Sequence, residues 1–162
     1  MTTTDAPVVR SFEPYAHMKH VMKVGNAMLK PVLRSRLGAR MHDLALLTVT
    51  GRRTGARYTM PVSVLPFEGH EVVLTAAGWR VNLRGGAEVL VHHGGVDRTL
   101  HAELVEDPDE VARVYGELLR RVGLKHANRV GLRVEGDRMP THEELADAIG
   151  GVRTVVVLTP AM

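Results

Sequence analysis

Residues 44–65 read LALLTVTGRRTGARYTMPVSVL and hold two strand-like runs around a short loop bracketed by glycines. The runs Leu44–Thr50 and Tyr58–Leu65 have the length and the β-branched content of strands. In the second run two sets of residues alternate, as on a strand with two different faces. Pro61 has no N–H for a ladder, so it predicts an edge strand, a bulge or a place where a ligand replaces a neighbouring strand.

Further strands are predicted on the C-terminal side of this hairpin. Short apolar runs place them at residues 71–75, 88–92, 99–105 and 152–158. Turn residues separate them at Pro66–His70 and at Gly94-Gly95. Residues 78–86 have the spacing of one helical turn that ends at two glycines.

Two late helices carry clear start signals. Asp107, Pro108 and Glu110 supply an N-cap, a first-turn proline and a capping-box glutamate for a helix that ends at Gly123. Residues 141–144, Thr-His-Glu-Glu, open a shorter helix through residue 149. About six strands with hairpin-length loops, an N-terminal helix and two C-terminal helices predict an α+β fold. This order favours an antiparallel sheet or barrel, in a single domain over residues 1–162.

The N-terminal segment, residues 1–38, is predicted to be a basic amphipathic helical segment. Apolar residues recur at helical spacing from Pro14 to about Leu37, lysines form another stripe, Pro31 predicts a kink and Gly38 a stop. Residues 1–60 carry ten basic and three acidic residues, which is +7, against −4 for the remainder. This charge attracts an anionic partner: a phosphorylated cofactor, a membrane surface or nucleic acid.

Composition excludes several kinds of chemistry. The chain has no cysteine, so thiolate nucleophiles, disulfides and iron–sulfur clusters are ruled out, and redox chemistry has to come from a cofactor. His17 and His20 lie one helical turn apart, but no carboxylate pattern completes a metal site. Few aromatic residues and no basic–aromatic interleaving argue against nucleic acid. The sequence shows neither a secretory signal nor a membrane span, so a cytoplasmic location is expected.

Residues 51–57, which we call the arginine loop, are the strongest candidate for a binding site. Arg52, Arg53 and Arg57 stand among glycines and hydroxyl residues between two strands. Glycines let backbone N–H groups face an anion, and guanidinium groups match phosphate oxygens in two-point contacts. The composition leaves two interpretations open, a phosphate anchor and a solvated hairpin turn.

The stretch from Leu46 to Val62 resembles the signature of the deazaflavin-dependent nitroreductase family. A second block is similar to that family as well: Trp79, then Asn82-Leu83-Arg84, then the strand around residues 88–91. The resemblance implies a split β-barrel, the fold of flavin and deazaflavin oxidoreductases, that binds coenzyme F420. Its activity would be hydride transfer from the reduced cofactor to a quinone, an activated alkene or a nitro compound.

The resemblance also implies the cofactor-binding residues. Phosphate would be held by Arg52, Arg53, Arg57 and Thr54. The ring would be lined by Thr59, Met60, Pro61, Val62, Thr75 and Ala76, and bounded by Trp79 and Asn82. No catalytic residue is implied. The proton donor stays open among Tyr15, Tyr58 and solvent, because Tyr115 is expected to be a core residue.

Several alternatives remain open at this stage. The same arginines suit the phosphate of flavin mononucleotide, and the barrel would also suit a non-catalytic carrier of a lipid or tetrapyrrole. The N-terminal helix would suit peripheral contact with a membrane that holds a quinone. Monomer and homodimer are both compatible with the sequence.

Overall fold

The computed structural model describes residues 7–11 and 30–162. The chain divides into two compact units. The sheet unit contains, among the described residues, 30–73, 77–104 and Val156–Met162. The helical unit contains the described N-terminal residues, Leu74–Ala76 and Val105–Val155. Whether they constitute one domain, as expected from the sequence, stays a prediction.

Seven strands form one sheet in the order β3-β2-β6-β7-β9-β5-β4. Their bounds are β2 Leu44–Thr50, β3 Arg57–Ser63, β4 Leu65–Phe67, β5 His70–Thr75, β6 Ala87–His93, β7 Val96–Val105 and β9 Thr154–Pro160. The pairs β2–β3, β2–β6, β6–β7 and β4–β5 are antiparallel. Because β3 ends the order of the described strands, an edge strand, one of the three alternatives predicted from Pro61, is confirmed.

The core of the sheet unit uses one face of its central strands. Alternate residues of β2, namely Ala45, Leu47 and Val49, are buried, together with Val89 and Val91 of β6. Strand side chains alternate between faces, so the intervening residues of β2 and β6 point to the opposite side. Two faces with different surroundings therefore exist on the same strands.

The helical unit is built on two helices, α1 Pro108–Val122 and α2 His142–Ile149. Asp107 caps α1 by accepting from the N–H of Glu110 at 3.0 Å, and the Glu110 carboxylate pairs with Arg113. Thr141 and Glu144 form a complete capping box at α2. A 3-10 helix follows α1 at Leu124–Val130, and the strands β1 Val8–Ser11 and β8 Leu132–Glu135 form a separate antiparallel pair.

The sequence placed most of these elements within a few residues, and the differences have local causes. Within the described residues there are nine strands rather than about six. The predicted turn at Pro66–His70 is wrong in its first half: Pro66 and Phe67 belong to β4, and the turn lies at Glu68 and Gly69, which both have positive φ.

The end of the N-terminal helix was also predicted too late. Residues 30–34 are helical, and the helix ends at residue 34 rather than at Leu37. Gly38 opens a 3-10 turn, Gly38–Arg40, where a Cβ would meet the backbone of Leu33. Most of the predicted N-terminal helix, including His17, His20 and Tyr15, lies outside the described residues.

Candidate functional site

The arginine loop is closed by short hydrogen bonds of its own backbone. Gly51 N–H donates to the carbonyl of Ala56 at 2.7 Å, and Gly55 N–H donates to the carbonyl of Gly51 at 3.0 Å. The Thr54 hydroxyl accepts from Ala56 N–H at 3.2 Å. Gly55 has φ +68, the left-handed region that glycine adopts without strain. The loop therefore has a defined shape while both Arg52 and Arg53 remain exposed.

Asn82 connects the arginine loop with a distant segment. It lies in the 3-10 helix Gly78–Leu83, where the sequence predicted one helical turn. Its side-chain oxygen accepts from Arg52 N–H at 3.1 Å, and its side-chain nitrogen donates to the Trp79 carbonyl at 3.0 Å. One amide side chain thus holds the loop and the backbone of Trp79 together.

A groove of about 350 Å³ opens between these two segments. We call it the tryptophan groove; it is lined by Gly51, Arg52, Arg53, Thr54, Tyr58, Gly78, Trp79 and Asn82. Among the described residues, its lining contains two guanidinium groups and no carboxylate. Two aromatic rings, those of Tyr58 and Trp79, add flat surface, and Trp79 also packs against the core of the sheet unit. The groove can accept a molecule that is anionic at one end and planar elsewhere.

The structure brings five of the predicted cofactor residues together at this groove: Arg52, Arg53, Thr54, Trp79 and Asn82. Five others lie on β3: Arg57, Thr59, Met60, Pro61 and Val62. Thr75 ends β5, and Ala76 follows it, both in the helical unit.

The alternation of β3 decides which side chains reach the groove. Tyr58 and Met60 share one face, and Arg57 and Thr59 share the other. Tyr58 lines the tryptophan groove, whereas Thr59 lines a different groove, where its hydroxyl lies 2.9 Å from that of Thr48. Arg57 is not among the residues that line the tryptophan groove.

Three groove residues were not assigned to cofactor binding from the sequence: Tyr58, Gly51 and Gly78. The ring of Tyr58 approaches Gly51 so closely that a Cβ there would lie 3.0 Å from the Tyr58 ring. The sequence could have identified Tyr58, because it is the next residue after Arg57 in a strand and its side chain points to the opposite face. Tyr115, by contrast, is fully buried, which confirms its expected core role.

Tyr115 also makes a polar contact in the helical unit. Its hydroxyl accepts from Arg153 Nε at 2.9 Å and donates to the Thr154 carbonyl at 3.4 Å. Burial raises the pKa of the Tyr115 phenol above its ordinary value, so the group is protonated at neutral pH. The environment of Tyr115 is that of a structural side chain.

Two features are absent from the described residues: a cluster of metal-ligating side chains and a helix able to span a membrane. No group of three or more histidine, cysteine, aspartate or glutamate side chains could hold a metal ion in that part of the chain. In the same part, no helix has both the length and the apolar character needed to cross a bilayer.

Comparison with protein families shows which family this chain belongs to. Residues 27–138 match the model of a family described as F420H(2)-dependent quinone reductase. The match covers more than half of the chain and includes both the arginine loop and the 3-10 helix with Trp79 and Asn82. Comparison with curated protein sequences finds no significant match.

Solved structures give weaker similarities. A conserved hypothetical protein from Mycobacterium tuberculosis is 18% identical, with 84% of this chain and 80% of that chain covered and a TM-score of 0.47. A structure described as an F420-H2-dependent reductase is 15% identical, with 71% and 93% covered and a TM-score of 0.45. An FMN-binding protein related to pyridoxamine 5'-phosphate oxidase, from Nostoc punctiforme, is 8% identical, with 93% and 82% covered and a TM-score of 0.48.

Proposed function

The chain belongs to the F420H2-dependent quinone reductase family, and from this membership we propose that the tryptophan groove holds the cofactor, with Arg52 and Arg53 on its phosphate. The protein is an F420-dependent oxidoreductase of α+β class with a split β-barrel fold, as the sequence predicted. Hydride transfer to an electron-poor small-molecule acceptor is the chemistry that reduced deazaflavin supplies when bound.

The donor set fits the phosphate-bearing end of the cofactor. Arg52 and Arg53 are exposed, and none of the described residues that line the groove carries a carboxylate, so an arriving phosphate meets no like charge among them. The Thr54 hydroxyl stands beside them. Guanidinium groups bind phosphate oxygens with charge-assisted hydrogen bonds, which are the strong class of hydrogen bond. This lining is the observation that carries the proposal.

Asn82 acts as a positioning residue. Its oxygen fixes the backbone N–H of Arg52, and its nitrogen fixes the carbonyl of Trp79. The phosphate end and the aromatic end of the groove are therefore held at one spacing before the cofactor arrives. Such preorganisation reduces the entropy lost on binding.

Trp79 and Tyr58 would bound the planar part of the cofactor. Trp79 is half-buried against the core, so its ring is held in place, while Tyr58 is 48% exposed and leaves one side of the groove accessible. Their faces give a flat ring apolar surface and limit the water that reaches it.

Strand β3 would serve the ring through its backbone. In the part of the chain that the structure describes, β3 is the end strand of the sheet, so one row of its N–H and C=O groups has no strand partner there. Residues 59–62 of that row suit the polar edge of a flat ring, as the resemblance implies. Thr75 and Ala76, predicted from the same resemblance, remain predictions for this role.

The proton that accompanies the hydride has two proposed sources. Tyr58 is the hydroxyl-bearing aromatic residue in the lining of the tryptophan groove. Solvent is the other source, because the groove is open. Tyr58→Phe keeps the ring and removes the hydroxyl, so an unchanged turnover number with unchanged KM would assign the proton to solvent.

Fluorescence titration of the purified protein with coenzyme F420 and, separately, with flavin mononucleotide tests the proposal. F420 should bind and lose affinity in Arg53→Ala, while Arg40→Ala, an exposed arginine outside the groove, should bind as the unmodified protein does. If flavin mononucleotide binds more tightly than F420, the cofactor is flavin mononucleotide and the tryptophan groove remains the proposed binding site. F420 binding that neither arginine of the groove affects would contradict the proposed anchor.

The acceptor can be assigned by kinetics with the loaded protein. We propose a quinone, in agreement with the family, and a series of quinones, activated alkenes and nitro compounds compared by kcat/KM tests this choice. Contact of the N-terminal segment with a quinone-bearing membrane, and the choice between monomer and homodimer, stay proposals. Vesicle co-sedimentation and sedimentation velocity respectively measure them.

A further inference from the structure

A second groove, also of about 350 Å³, lies on the face of the sheet unit opposite to its core. We call it the histidine groove. Strand pairing sets Leu46 of β2 opposite His92 of β6, and Thr48 opposite Leu90. These four side chains form a four-cornered patch, with the two polar side chains on one diagonal and the two leucines on the other. The core residues of the same strands, such as Leu47 and Val91, face the other way.

His92 lines this groove, and one of its ring nitrogens is buried without a hydrogen-bond partner among the described residues. Its Nδ1 lies 2.6 Å from Asp97 Oδ1, a charge-assisted contact that assigns the Nδ1 hydrogen to the side facing Asp97. Nε2 is buried and makes no hydrogen bond within the described residues. A buried polar atom without a partner costs free energy, so natural proteins usually satisfy it. On the neutral ring this nitrogen is an acceptor, and a molecule that satisfies it has to donate.

A pair of hydroxyl groups stands at the other polar corner. Thr48 Oγ1 and Thr59 Oγ1 lie 2.9 Å apart, and one donates to the other. Because two hydroxyls carry two hydrogens, one hydrogen remains for a third group. Thr48 and His92 are diagonal neighbours on adjacent antiparallel strands, which separates such positions by about 7–8 Å. A small ring with polar groups at both ends spans such a diagonal.

We propose that the histidine groove is a second small-molecule site, for a planar ring that carries a hydroxyl group at one end and an oxygen acceptor at the other. The ligand hydroxyl donates to His92 Nε2, and its other oxygen accepts from the Thr48–Thr59 pair. Leu46 and Leu90 provide the apolar floor for the ring. Arg34 lines the groove as well, and its planar guanidinium can stack on an aromatic face.

This site is separate from the proposed cofactor groove. The two are lined by successive residues of β3, which point to opposite faces: Tyr58 lines the tryptophan groove and Thr59 the histidine groove. A ligand in the histidine groove is therefore on the other face of the sheet from the tryptophan groove. The site binds and does not take part in hydride transfer.

The test is a nitrogen-15 NMR titration of the full-length protein, followed at the His92 Nε2 resonance. The probe is 4-(hydroxymethyl)phenol, which is redox-stable and carries a hydroxyl at each end. Its dimethyl ether is the matched probe without donors. We expect a saturable shift with roughly millimolar affinity for the phenol, and at least about tenfold weaker binding of the ether. Equal binding of both compounds, or no shift with the phenol, would overturn the proposal.

Three variants complete the experiment. His92→Phe removes the acceptor and keeps a ring, and Thr48→Val removes the hydroxyl and keeps the shape; each should weaken phenol binding at least about threefold, measured by ligand-observed NMR. His70→Phe, at an exposed position at the start of β5, is the control and should leave phenol binding unchanged. If His92→Phe fails to fold, Thr48→Val alone still tests whether the polar groups of the groove bind the phenol. Unchanged binding in both groove variants, or tighter binding of benzoate than of the phenol, would refute the assignment.

Discussion

Replacement of single arginines in the arginine loop distinguishes an arginine that contacts the cofactor phosphate from one that only adds positive charge nearby. Arg53 lines the tryptophan groove, so Arg53→Ala removes a charge-assisted hydrogen bond to the phosphate. Such bonds contribute about 1.5–3 kcal/mol. Because Arg53 is exposed, we expect the lower end, about 1.5 kcal/mol, which corresponds to roughly tenfold weaker binding of F420.

Arg57→Ala is the informative comparison. Arg57 shares its strand face with Thr59 and is not part of the groove lining. A unit charge about 10 Å from a phosphate contributes roughly 0.4 kcal/mol in water, about a twofold change in affinity, and salt screens it over about 8–10 Å. If the side-chain direction of β3 decides the contact, Arg57→Ala therefore weakens F420 binding about twofold at low salt and less at 0.15 M ionic strength.

The assay is a fluorescence titration with F420 at two salt concentrations for both variants and for Arg40→Ala. The expected order of affinities places Arg53→Ala well below Arg57→Ala, with Arg40→Ala close to the unmodified protein. Equal tenfold losses in Arg53→Ala and Arg57→Ala would refute the argument from strand alternation. They would support instead the three-arginine anchor that the family resemblance implies.

Three further predictions follow from contacts described above. Asn82→Ala should weaken F420 binding by roughly three- to tenfold, since it removes two neutral hydrogen bonds that hold the groove; the same titration checks this, and an unchanged affinity would contradict the positioning role. Tyr115→Phe should lower the free energy of unfolding by about 1–3 kcal/mol, because buried Arg153 Nε loses its acceptor; urea denaturation measures it, and full stability would argue against the contact. Arg138 and the cap of α2 lower the pKa of Glu144 from 4.5 to about 2, so its contribution is complete above pH 4.5 and is lost as the pH falls toward 2. The melting temperature of Glu144→Gln should therefore depend less on pH between 5 and 2 than that of the unmodified protein, and parallel curves would count against it.

The parts of the fold that depend on local signals were predictable from the sequence. β2 was predicted to the residue, because an apolar β-branched run ends at a glycine. Both helix starts followed from capping residues, and Thr141 makes the bond that its position predicts. The α+β class followed from these elements, whereas the family was indicated by the resemblance of residues 46–62 and of the block from Trp79 to residue 91, and the family match confirms it.

The remaining elements depend on contacts between distant residues. β1 and β8 are four residues each and pair Val8 with Glu135 across most of the chain, so neither short segment shows a strand pattern by itself. β4 contains Pro66, which reads locally as a turn residue. The histidine groove depends on the register of β2 with β6, which local periodicity does not determine.

The position of Tyr58 in the groove could have been predicted from the sequence if β3 had been predicted to begin at Arg57 rather than at Tyr58. The resemblance assigned phosphate binding to Arg57, whereas the alternation of β3 brings its neighbour to the groove. A family signature specifies which residue types occur at which positions. The direction of each side chain is set by the geometry of the strand. The role predicted for Arg57 therefore stays a prediction, which the comparison of Arg53→Ala with Arg57→Ala tests.

Because the two grooves share β3, insertions have very different effects on either side of Arg57. An extra residue within the turn between β2 and β3 leaves the strand register as it is. One extra residue inserted after Met60, with the later part of β3 keeping its register, sends Tyr58 and Met60 outward and turns Arg57 and Thr59 toward the core. A single insertion would then impair both grooves at once, so the length of β3 is constrained by two binding surfaces, whereas the length of the turn is constrained by one.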